Sequence, residues 1–568
     1  MTKAPNEIWK EYQRGVEYKT SIDLYENVRV NENFYNGKQW EGVNAPDLPK
    51  PTLNFLKRVV SYFTAMVVSD DVAVALSPYT PDPRMENIGK LLAVETERII
   101  EQCKAKSLNR EAVRNAAVDG DACMYLWFDP EAESGQDAKG RIRMELIENI
   151  NLIFGNPYVH DVQKQRYIII AQRKMLDEVR EEAKDNGISE DEYMRIRPDS
   201  DEHQGEDGSD NQMVTVLIRL WREDGTIHAT KTTENCVVKK AWDTEYKLFP
   251  IAYFSWEKVR SSCHGQAALT GLIQNQISVN RLFAMSIRSV EMTAFPKVIF
   301  DATKIKRWSN RVGEAIEVNG DVGASVMTNV RGADVSPQVM DIIDRVITMT
   351  RDFMGASDAA LGNVKPDNTS AIIAVQQASA IPLELQRRGF YQFVEDYVRV
   401  MVDIMRADYG IRNIRASVDV LGREGMAALQ QQLPMMGQNP KDVMVQINFN
   451  DLNTANLELK VDVGAATYWS ETMQLQTLDN LFKSGILQDA VLYLESVPDK
   501  YVPNKNKMLD KLKEQQQIQQ QMLQQQIMQQ QAQAEIPPMQ PMVDQNQIQQ
   551  MARRAIETQT AASQGAVF

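Results

Sequence analysis

Histidine and cysteine are scarce in this chain, since its 568 residues include only four of each. The histidines show no HExxH or HxH spacing and the cysteines form no CxxC pair, so the usual ligand patterns of a zinc site are missing. The acidic stretch 189–212, which we interpret as a surface loop, lacks the spacing of an EF-hand calcium loop. We therefore expect neither a metal nor a cofactor, and we expect the cysteines to be buried free thiols.

Long apolar runs and enzyme motifs are missing as well. No run of eighteen apolar residues is present, so we expect no membrane-spanning segment, and the polar N-terminus lacks the apolar core of a signal peptide. The nucleotide-binding pattern GxxxxGK(S/T) is absent, and neither GxSxG nor GxGxxG occurs in a strand–helix context. Acidic residues are plentiful, but no pair is set apart as a hydrolytic dyad. We predict that the protein is not an enzyme.

An excess of basic residues is the third absence. The chain has 63 Lys and Arg against 77 Asp and Glu, for a net charge of −14. Proteins that grip DNA phosphates normally carry a basic stripe, so tight or sequence-specific DNA binding is disfavoured. The acidic charge has two interpretations, namely simple solubility or an acidic wall along which DNA slides without binding.

The spacing of apolar residues in the first 260 positions predicts an α+β domain. Helical spacing covers 6–35, 53–68 and 82–118, and alternating spacing then predicts strands. Asp224-Gly225 lies between two of these strands and predicts a tight hairpin. The predicted strands are 123–128, 142–147, 154–159, 167–170, 214–221, 227–231, 237–238 and 251–256, with a further helix at 175–186.

Two long amphipathic helices, predicted at 266–293 and 336–353, enclose an insert with short strands. In the first helix, apolar residues follow one seam at alternating spacings of three and four, and Pro296 ends the helix. Such a pair builds a helical hairpin stalk with a knob at its tip. The strands predicted in the insert are 298–300, 316–318 and 326.

The rest of the chain is predicted to be mainly helical. A loop at 355–371 precedes a long helix that we expect to run to about Tyr409, with a bend at Pro382. The glutamine-rich segment 515–568 has two interpretations, disorder or helices that self-associate around a ring axis. The other predicted elements are strands at 418–421, 443–449 and 457–463 and a helical region at 470–514.

Five segments resemble, in their order along the chain, the portal proteins of tailed bacteriophages, which connect head to tail. The first is the aromatic-Gly-Gln-Trp motif FYNGKQWEG at 34–42, in which we expect Tyr35 and Trp40 to be core anchors. No segment is decisive alone, and the specific signal is their order. The other four are PTLNFLKRVVSYFTAMV at 51–67, NLIFGNPYVHDVQKQRYIII at 151–170, the segment 249–300 and LGNVKPDNTSAIIAVQQ at 361–377.

The resemblance, which is greatest to portals of short-tailed phages, implies an α+β portal fold in a ring that is typically dodecameric. It assigns the stalk to a two-helix stem and its knob to a small, β-containing clip. The implied regions are the wing at 1–265 and 372–469 (the latter with the long helix), stem helices at 266–294 and 336–354, the clip at 295–335, the tunnel loop at 355–371, the crown at 470–514 and a glutamine-rich tail at 515–568, as a helical barrel or disordered.

The function that the resemblance implies is a DNA conduit at one capsid vertex for genome packaging and ejection. The ring is expected to assemble in the host cytoplasm, to become part of the virion and to have no membrane partner. The implied partners are further copies of the chain, the terminase large subunit, the major capsid and scaffolding proteins, tail adaptor proteins, and double-stranded DNA that passes without specific binding.

Three groups of polar residues are candidate sites on this map, each with a plainer alternative. The tunnel-loop residues either face DNA or belong to an ordinary surface loop; they are Asn363, Lys365 and Asn368. The stem arginines either form salt bridges within or between subunits or face the channel; they are Arg281, Arg288, Arg345 and Arg351. The clip cations either dock terminase and adaptors or form a solvated turn; they are Lys304, Lys306, Arg307 and Arg311.

Two other functions remain open from the sequence. The first is a capsid-associated structural or scaffolding protein without a channel, which a glutamine-rich helix would suit. The second is an enzyme that acts on nucleic acid. Assembly into a ring with a central hole distinguishes the portal from the first, and nuclease and ATPase assays distinguish it from the second.

Overall fold

We describe the fold from a computed structural model, in which the chain divides into two compact units, Met1–Ala466 and Thr467–Phe568. The residues described are 3–68, 72–78, 83–136, 138–199, 212–295, 297–309, 311, 315–321, 326–330, 337–355, 381–417, 442–453, 459–465, 478–484 and isolated positions between 491 and 512.

Helices open the first unit, in two groups. The helix predicted over 6–35 is broken at Asp23, whose φ of 54° is left-handed. The helix predicted over 82–118 is broken in the same way at Lys104, with a φ of 52°. Residues other than glycine rarely adopt this conformation, so neither break has a sequence signal. The helices are α1 (Pro5–Ser21), α2 (Leu24–Asn36), α3 (Phe55–Val67), α4 (Pro83–Gln102) and α5 (Ala105–Asp119).

Two antiparallel sheets follow the helices. One has three strands in the order β3-β2-β9, and the other has five in the order β4-β5-β6-β7-β8. The hairpin predicted at Asp224-Gly225 is confirmed, and both residues have positive φ, at 51° and 90°, as a type I′ turn requires. The strands are β2 (Asp121–Asp129), β3 (Arg141–Ile147), β4 (Leu152–Phe154), β5 (Tyr167–Met175), β6 (Met213–Glu223), β7 (Thr226–Thr232), β8 (Val237–Asp243) and β9 (Ile251–Ser255).

Two sequence predictions in this region are wrong in part. The strand predicted at 154–159 ends at Phe154, because the next residues form a turn around the Gln165 side chain, which bonds the backbone of Asn156 and Val159. The stretch predicted as a surface loop at 189–212 begins with a short helix, α7 (Glu190–Tyr193), and buries Ile196. The neighbouring helix α6 (Leu176–Asp185) agrees with the prediction.

The predicted pair of long helices is present as α8 (Ile273–Ala294) and α9 (Pro337–Phe353). The first helix begins seven residues later than predicted, because the preceding residues form turns in which Leu269 N donates to Ala117 O. Between the helices, β10 (Lys297–Phe300) pairs with β11 (Met327–Val330). The strand predicted at 316–318 is wrong: these residues have no strand pairing.

The last part of the first unit supplies a central helix and three strands. Pro382 lies in a single 3₁₀ turn directly before α10 (Glu384–Asp408). Strand β12 (Ile411–Ser417), which the sequence analysis missed, pairs with β13 (Asp442–Asn448). Strand β14 (Leu459–Ala465) pairs with β1 (Val72–Pro78). The strand predicted at 418–421 lies outside the described residues, as does most of the loop at 355–371.

Helix α10 is the centre of the main core. Phe390 and Phe393 are both within 6.4 Å, ring to ring, of Phe254 on β9, and Tyr397 is 1% exposed. This single apolar core also takes in α3, α5 and the three-stranded sheet. In the second unit, residues 478–483 are helical and the Phe482 ring lies 4.7 Å from that of Tyr493; the tail at 515–568 lies outside the described residues.

Candidate subunit interface and channel residues

The base of α8 is attached to the rest of the unit by a chain of buried amides. Gln276 Nε2 donates to Leu53 O at 2.7 Å and to Asn280 Oδ1 at 2.9 Å. Asn280 Nδ2 then donates to Gln39 Oε1 at 2.6 Å, and Gln39 Nε2 donates to Phe34 O at 3.2 Å. Because buried amides need partners, these bonds fix the place at which α8 leaves the body.

The amide chain explains the buried part of the motif at 34–42, and the expected core anchor Tyr35 packs against the main core from a half-buried position. Phe34 and Gln39 are the buried members of the motif, whereas Tyr35 and Trp40 are half-buried. The Tyr35 ring lies 4.6 Å from the Arg114 guanidinium, and Trp40 Nε1 donates to Pro51 O. Sequence reasoning overlooked Gln39 and Asn280. The available signal was two amides, Gln276 and Asn280, one turn apart on a helix face that is otherwise apolar.

Helices α8 and α9 contact each other near the same end. Asn275 Nδ2 donates to Thr350 Oγ1 at 3.0 Å, and Thr350 Oγ1 donates to the α9 carbonyl of Val346 at 2.7 Å. Thr350 and Ile343 are 2% and 3% exposed. A polar bond and a buried isoleucine therefore define the side on which the two helices face each other.

From its base to the far end of α8, the helix pair leaves many large apolar side chains in contact with solvent. Val290 continues the apolar seam that the sequence predicts, yet it is 60% exposed. Large apolar side chains left exposed on two neighbouring helices are a feature of protein–protein interfaces. The exposed side chains are Ile277, Met285, Val290, Met292 and Phe295 on and beside α8, and Met340, Ile342 and Met349 on α9; we call them the exposed apolar strip.

The four arginines of the helix pair differ in their surroundings. Arg345 pairs with Asp341 at 3.4 Å, which confirms the predicted contact across one helical turn. Arg288 pairs with Glu291 at 3.7 Å. Arg281 is exposed and Arg351 is half-buried. Exposed pairs of this kind contribute at most about 1 kcal/mol each, so they leave the arginine side chains available for other contacts.

The basic residues between β10 and β11 surround a small ordered turn. Asp301 Oδ1 accepts hydrogen bonds from Thr303 N at 3.0 Å and Thr303 Oγ1 at 2.6 Å. Ile305 is buried, at 3% exposure, and it fixes the position of its neighbours. Lys306, Arg307 and Arg311 are exposed, and Lys304 is half-buried. The loop residues Asn363, Lys365 and Asn368 lie outside the described residues.

The histidine, cysteine and acidic side chains form no metal centre within the described ranges. Cys123, Cys236 and Cys263 are buried free thiols, and Cys103 is half-buried. No group of three His, Cys, Asp or Glu side chains in these ranges has metal-binding geometry. Among the helices that the structure describes, none combines the length and the apolar character needed to cross a bilayer.

An α+β body that carries a helix pair with an exposed apolar strip defines a subunit built to associate with others. The family model described as Phage P22-like portal protein matches residues 10–564. Because the match spans nearly the whole chain, the chain belongs to the P22-like portal protein family. None of the curated proteins compared with the chain matches it.

Membership of this family confirms the resemblance in the ordered motifs. The chain is a bacteriophage portal protein, a head–tail connector at the capsid vertex that takes part in genome packaging. Members of the family are structural components of the virion, form homo-oligomeric rings, typically dodecamers, and interact with capsid and terminase. A scaffolding protein without a channel is not favoured.

Proposed function

We propose that α8 and α9 form the stem of the ring and that the exposed apolar strip is buried between neighbouring subunits. The carrying observation is Val290, which lies on the predicted apolar seam but is 60% exposed in the single chain. A seam that has helical spacing, is buried at Val279 and becomes exposed at Val290 among the described residues is accounted for by a second copy. With the strip buried in this way, the polar sides of the helices surround a channel.

The test compares two substitutions that introduce a negative charge at adjacent positions of α9. Met349, which is 58% exposed in the strip, is changed to Glu, and the exposed neighbour Thr348 is changed to Glu as the control. We expect Thr348→Glu to form rings in negative-stain images and Met349→Glu to remain mostly monomeric, because a buried unpaired carboxylate is costly. Rings formed equally well by both variants would contradict the proposed interface.

We further infer that the turn at 301–311 is the clip surface that docks the terminase large subunit and, later, tail adaptors. Lys306 and Arg307 are adjacent, exposed and held next to the buried Ile305, which supports a rigid basic surface. The double change Lys306→Glu and Arg307→Glu is expected to leave rings intact and to abolish terminase capture. Retained capture would assign the docking surface to another part of the chain.

For DNA, we infer brief and non-specific contacts within the channel. Lys365, Asn363 and Asn368 would supply them from the tunnel loop, with Arg281 and Arg345 from the stem, and a net charge of −14 disfavours tight binding. Lys365→Ala is expected to change packaging rate without changing ring assembly. We infer that the ring assembles in the host cytoplasm together with scaffolding and capsid proteins. In nuclease and ATPase assays we expect the pure ring to give no signal above background.

A further inference from the structure

A groove of about 1120 Å³ separates the three-stranded sheet from the five-stranded sheet. Residues of β2 and β3 form one wall, and residues of β5 to β8 form the floor and the other wall. The half-buried indoles of Trp127 and Trp242 both line it. We call it the inter-sheet groove; the proposed ring, stem and clip make no use of it.

One end of the inter-sheet groove is rich in lysine. Lys174, Lys231 and Lys239 line it from three different strands. A single carboxylate, that of Glu182 on α6, pairs with Lys174 at 3.1 Å and with Lys231. Burial alone would raise the pKa of Glu182, but the hydrogen bonds from Lys231 and Lys174 lower it, so this carboxylate stays ionised. Three ammonium groups therefore share one negative charge.

Lys239 is the one of these three lysines that does not pair with Glu182. Its Nζ lies 4.1 Å from the centre of the Trp242 ring, and within the described part of the chain no carboxylate lies within ion-pair distance of it. Lys231 is its direct partner across β7 and β8. Burial and the Lys231 charge lower the pKa of Lys239. Like charges directly opposite each other destabilise a sheet, so the fold itself gains nothing from this pair.

The other end of the groove is acidic. Asp243, Glu245 and Asp408 line it, and Asp408 accepts a hydrogen bond from Tyr246 OH at 2.6 Å. A nucleic acid strand, with a phosphate at every residue, would be repelled from this end. A peptide with an acidic residue at one end and a basic residue at the other would match both ends.

We propose that the inter-sheet groove binds a peptide segment of a partner protein, with a carboxylate at Lys239 and Lys231, an aromatic side chain between Trp127 and Trp242, and a basic side chain at Asp408 and Asp243. Aromatic anchors flanked by complementary charges are the usual composition of a peptide-binding hot spot. The lysine pair that destabilises the empty sheet would be neutralised by the bound carboxylate.

The test is fluorescence anisotropy on the assembled full-length ring. The probe is a fluorescein-labelled peptide with two glutamates at one end, a central leucine and phenylalanine, and two arginines at the other end. Lys239→Gln is compared with Lys240→Gln, because Lys240 is the next residue of β8, exposed and on the opposite face. The comparison probe is a single-stranded oligonucleotide with the same label.

We expect saturable peptide binding that Lys239→Gln weakens about tenfold and Lys240→Gln changes less than about twofold. Equal weakening in both variants, no saturation with peptide, or an oligonucleotide that binds more tightly than the peptide and depends on Lys239 would overturn the proposal. Both variants are expected to form rings, and neither is expected to lower the melting temperature. Loss of peptide binding by intact rings would therefore be distinguishable from a failure of the proposed stem interface, which would prevent rings from forming.

Discussion

Arg219 Nε donates to Glu11 Oε2 at 2.8 Å, and both side chains are nearly completely buried, at 5% and 7% exposure. The pair joins α1 to the middle of the five-stranded sheet, across 208 positions of sequence. The Arg219 guanidinium also lies 5.2 Å from the Tyr167 ring and 4.9 Å from the Trp221 ring. A charge enclosed in this way depends on its counter-ion, because water cannot reach it.

Glu11→Ala is expected to lower the free energy of unfolding by about 3 kcal/mol, since it leaves the Arg219 charge buried without its carboxylate. Glu7→Ala, at an exposed position of the same helix, is the control and should change the value by less than about 0.5 kcal/mol. Urea denaturation measures both. The double change Glu11→Leu with Arg219→Met should recover most of the loss, and no recovery would show that the pair does not act as a unit.

Lys19 predicts a pH dependence. Its ammonium is 1% exposed and donates to Asn149 O at 2.9 Å and Ile150 O at 2.8 Å, and burial lowers its pKa from 10.5 to about 7. Between about pH 7 and 10.5 the unfolded chain therefore binds more protons than the folded chain at this position. The free energy of unfolding consequently rises with pH over this window and levels off below it.

Lys19→Met is expected to remove that rise. Between pH 7 and pH 9 the wild-type chain should gain about 2 kcal/mol relative to the variant, and denaturation at the two pH values measures the difference. Lys10→Met, at an exposed position of α1, should keep the wild-type pH dependence. If Lys19→Met keeps it as well, another group titrates in this window.

Gly15 predicts a steric effect at the contact between α1 and β4. A Cβ at this position would come within 2.8 Å of Ile153 Cδ1, which is far inside normal contact distance. Gly15→Ala should destabilise the chain by about 2 kcal/mol, although alanine favours a helix by about 1 kcal/mol over glycine. Adding Ile153→Ala should restore part of the lost stability. If the destabilisations of the two single variants simply add in the double variant, the strain does not arise from the contact with Ile153.

Removal of Gln39 tests the amide chain at the base of α8. Gln39→Ala leaves the buried Asn280 Nδ2 without its acceptor, at a cost of about 1–3 kcal/mol. Because α8 loses a fixed point, its backbone amides at 276–283 should exchange with deuterium faster. Gln274→Ala, at an exposed position of α8, is the control for helix propensity and should leave exchange unchanged.

Local chemistry decides which parts of the fold were predictable from the sequence. Asp224-Gly225 predicts its hairpin because few dipeptides accept two positive φ values. The breaks at Asp23 and Lys104 were not predictable, since neither position has the glycine that most often marks a left-handed residue. Strand β12 was missed because three of its seven residues, Arg412, Asn413 and Arg415, obscure the apolar alternation.

The candidate interface was likewise predictable only in part from the sequence. Helical spacing predicted the seam of α8 correctly at Val279, which is buried, whereas Val290, on the same predicted seam, is exposed in the single chain. The inter-sheet groove was out of reach, because Lys174, Lys231 and Lys239 come together only through the pairing of β5 to β8. The roles of Asn363, Lys365 and Asn368 remain predictions.

The amides of Gln276 and Asn280, one helical turn apart, fix the position of α8 along its axis. If the helix slid by one turn so that Asn280 took the place of Gln276, the next residue in the series would be Ala284, which has no side-chain polar atom for Gln39. Any such shift of α8 along its axis would leave at least one buried amide without a hydrogen-bond partner, which is unfavourable. The base of α8 is therefore held at one position in each copy of the chain.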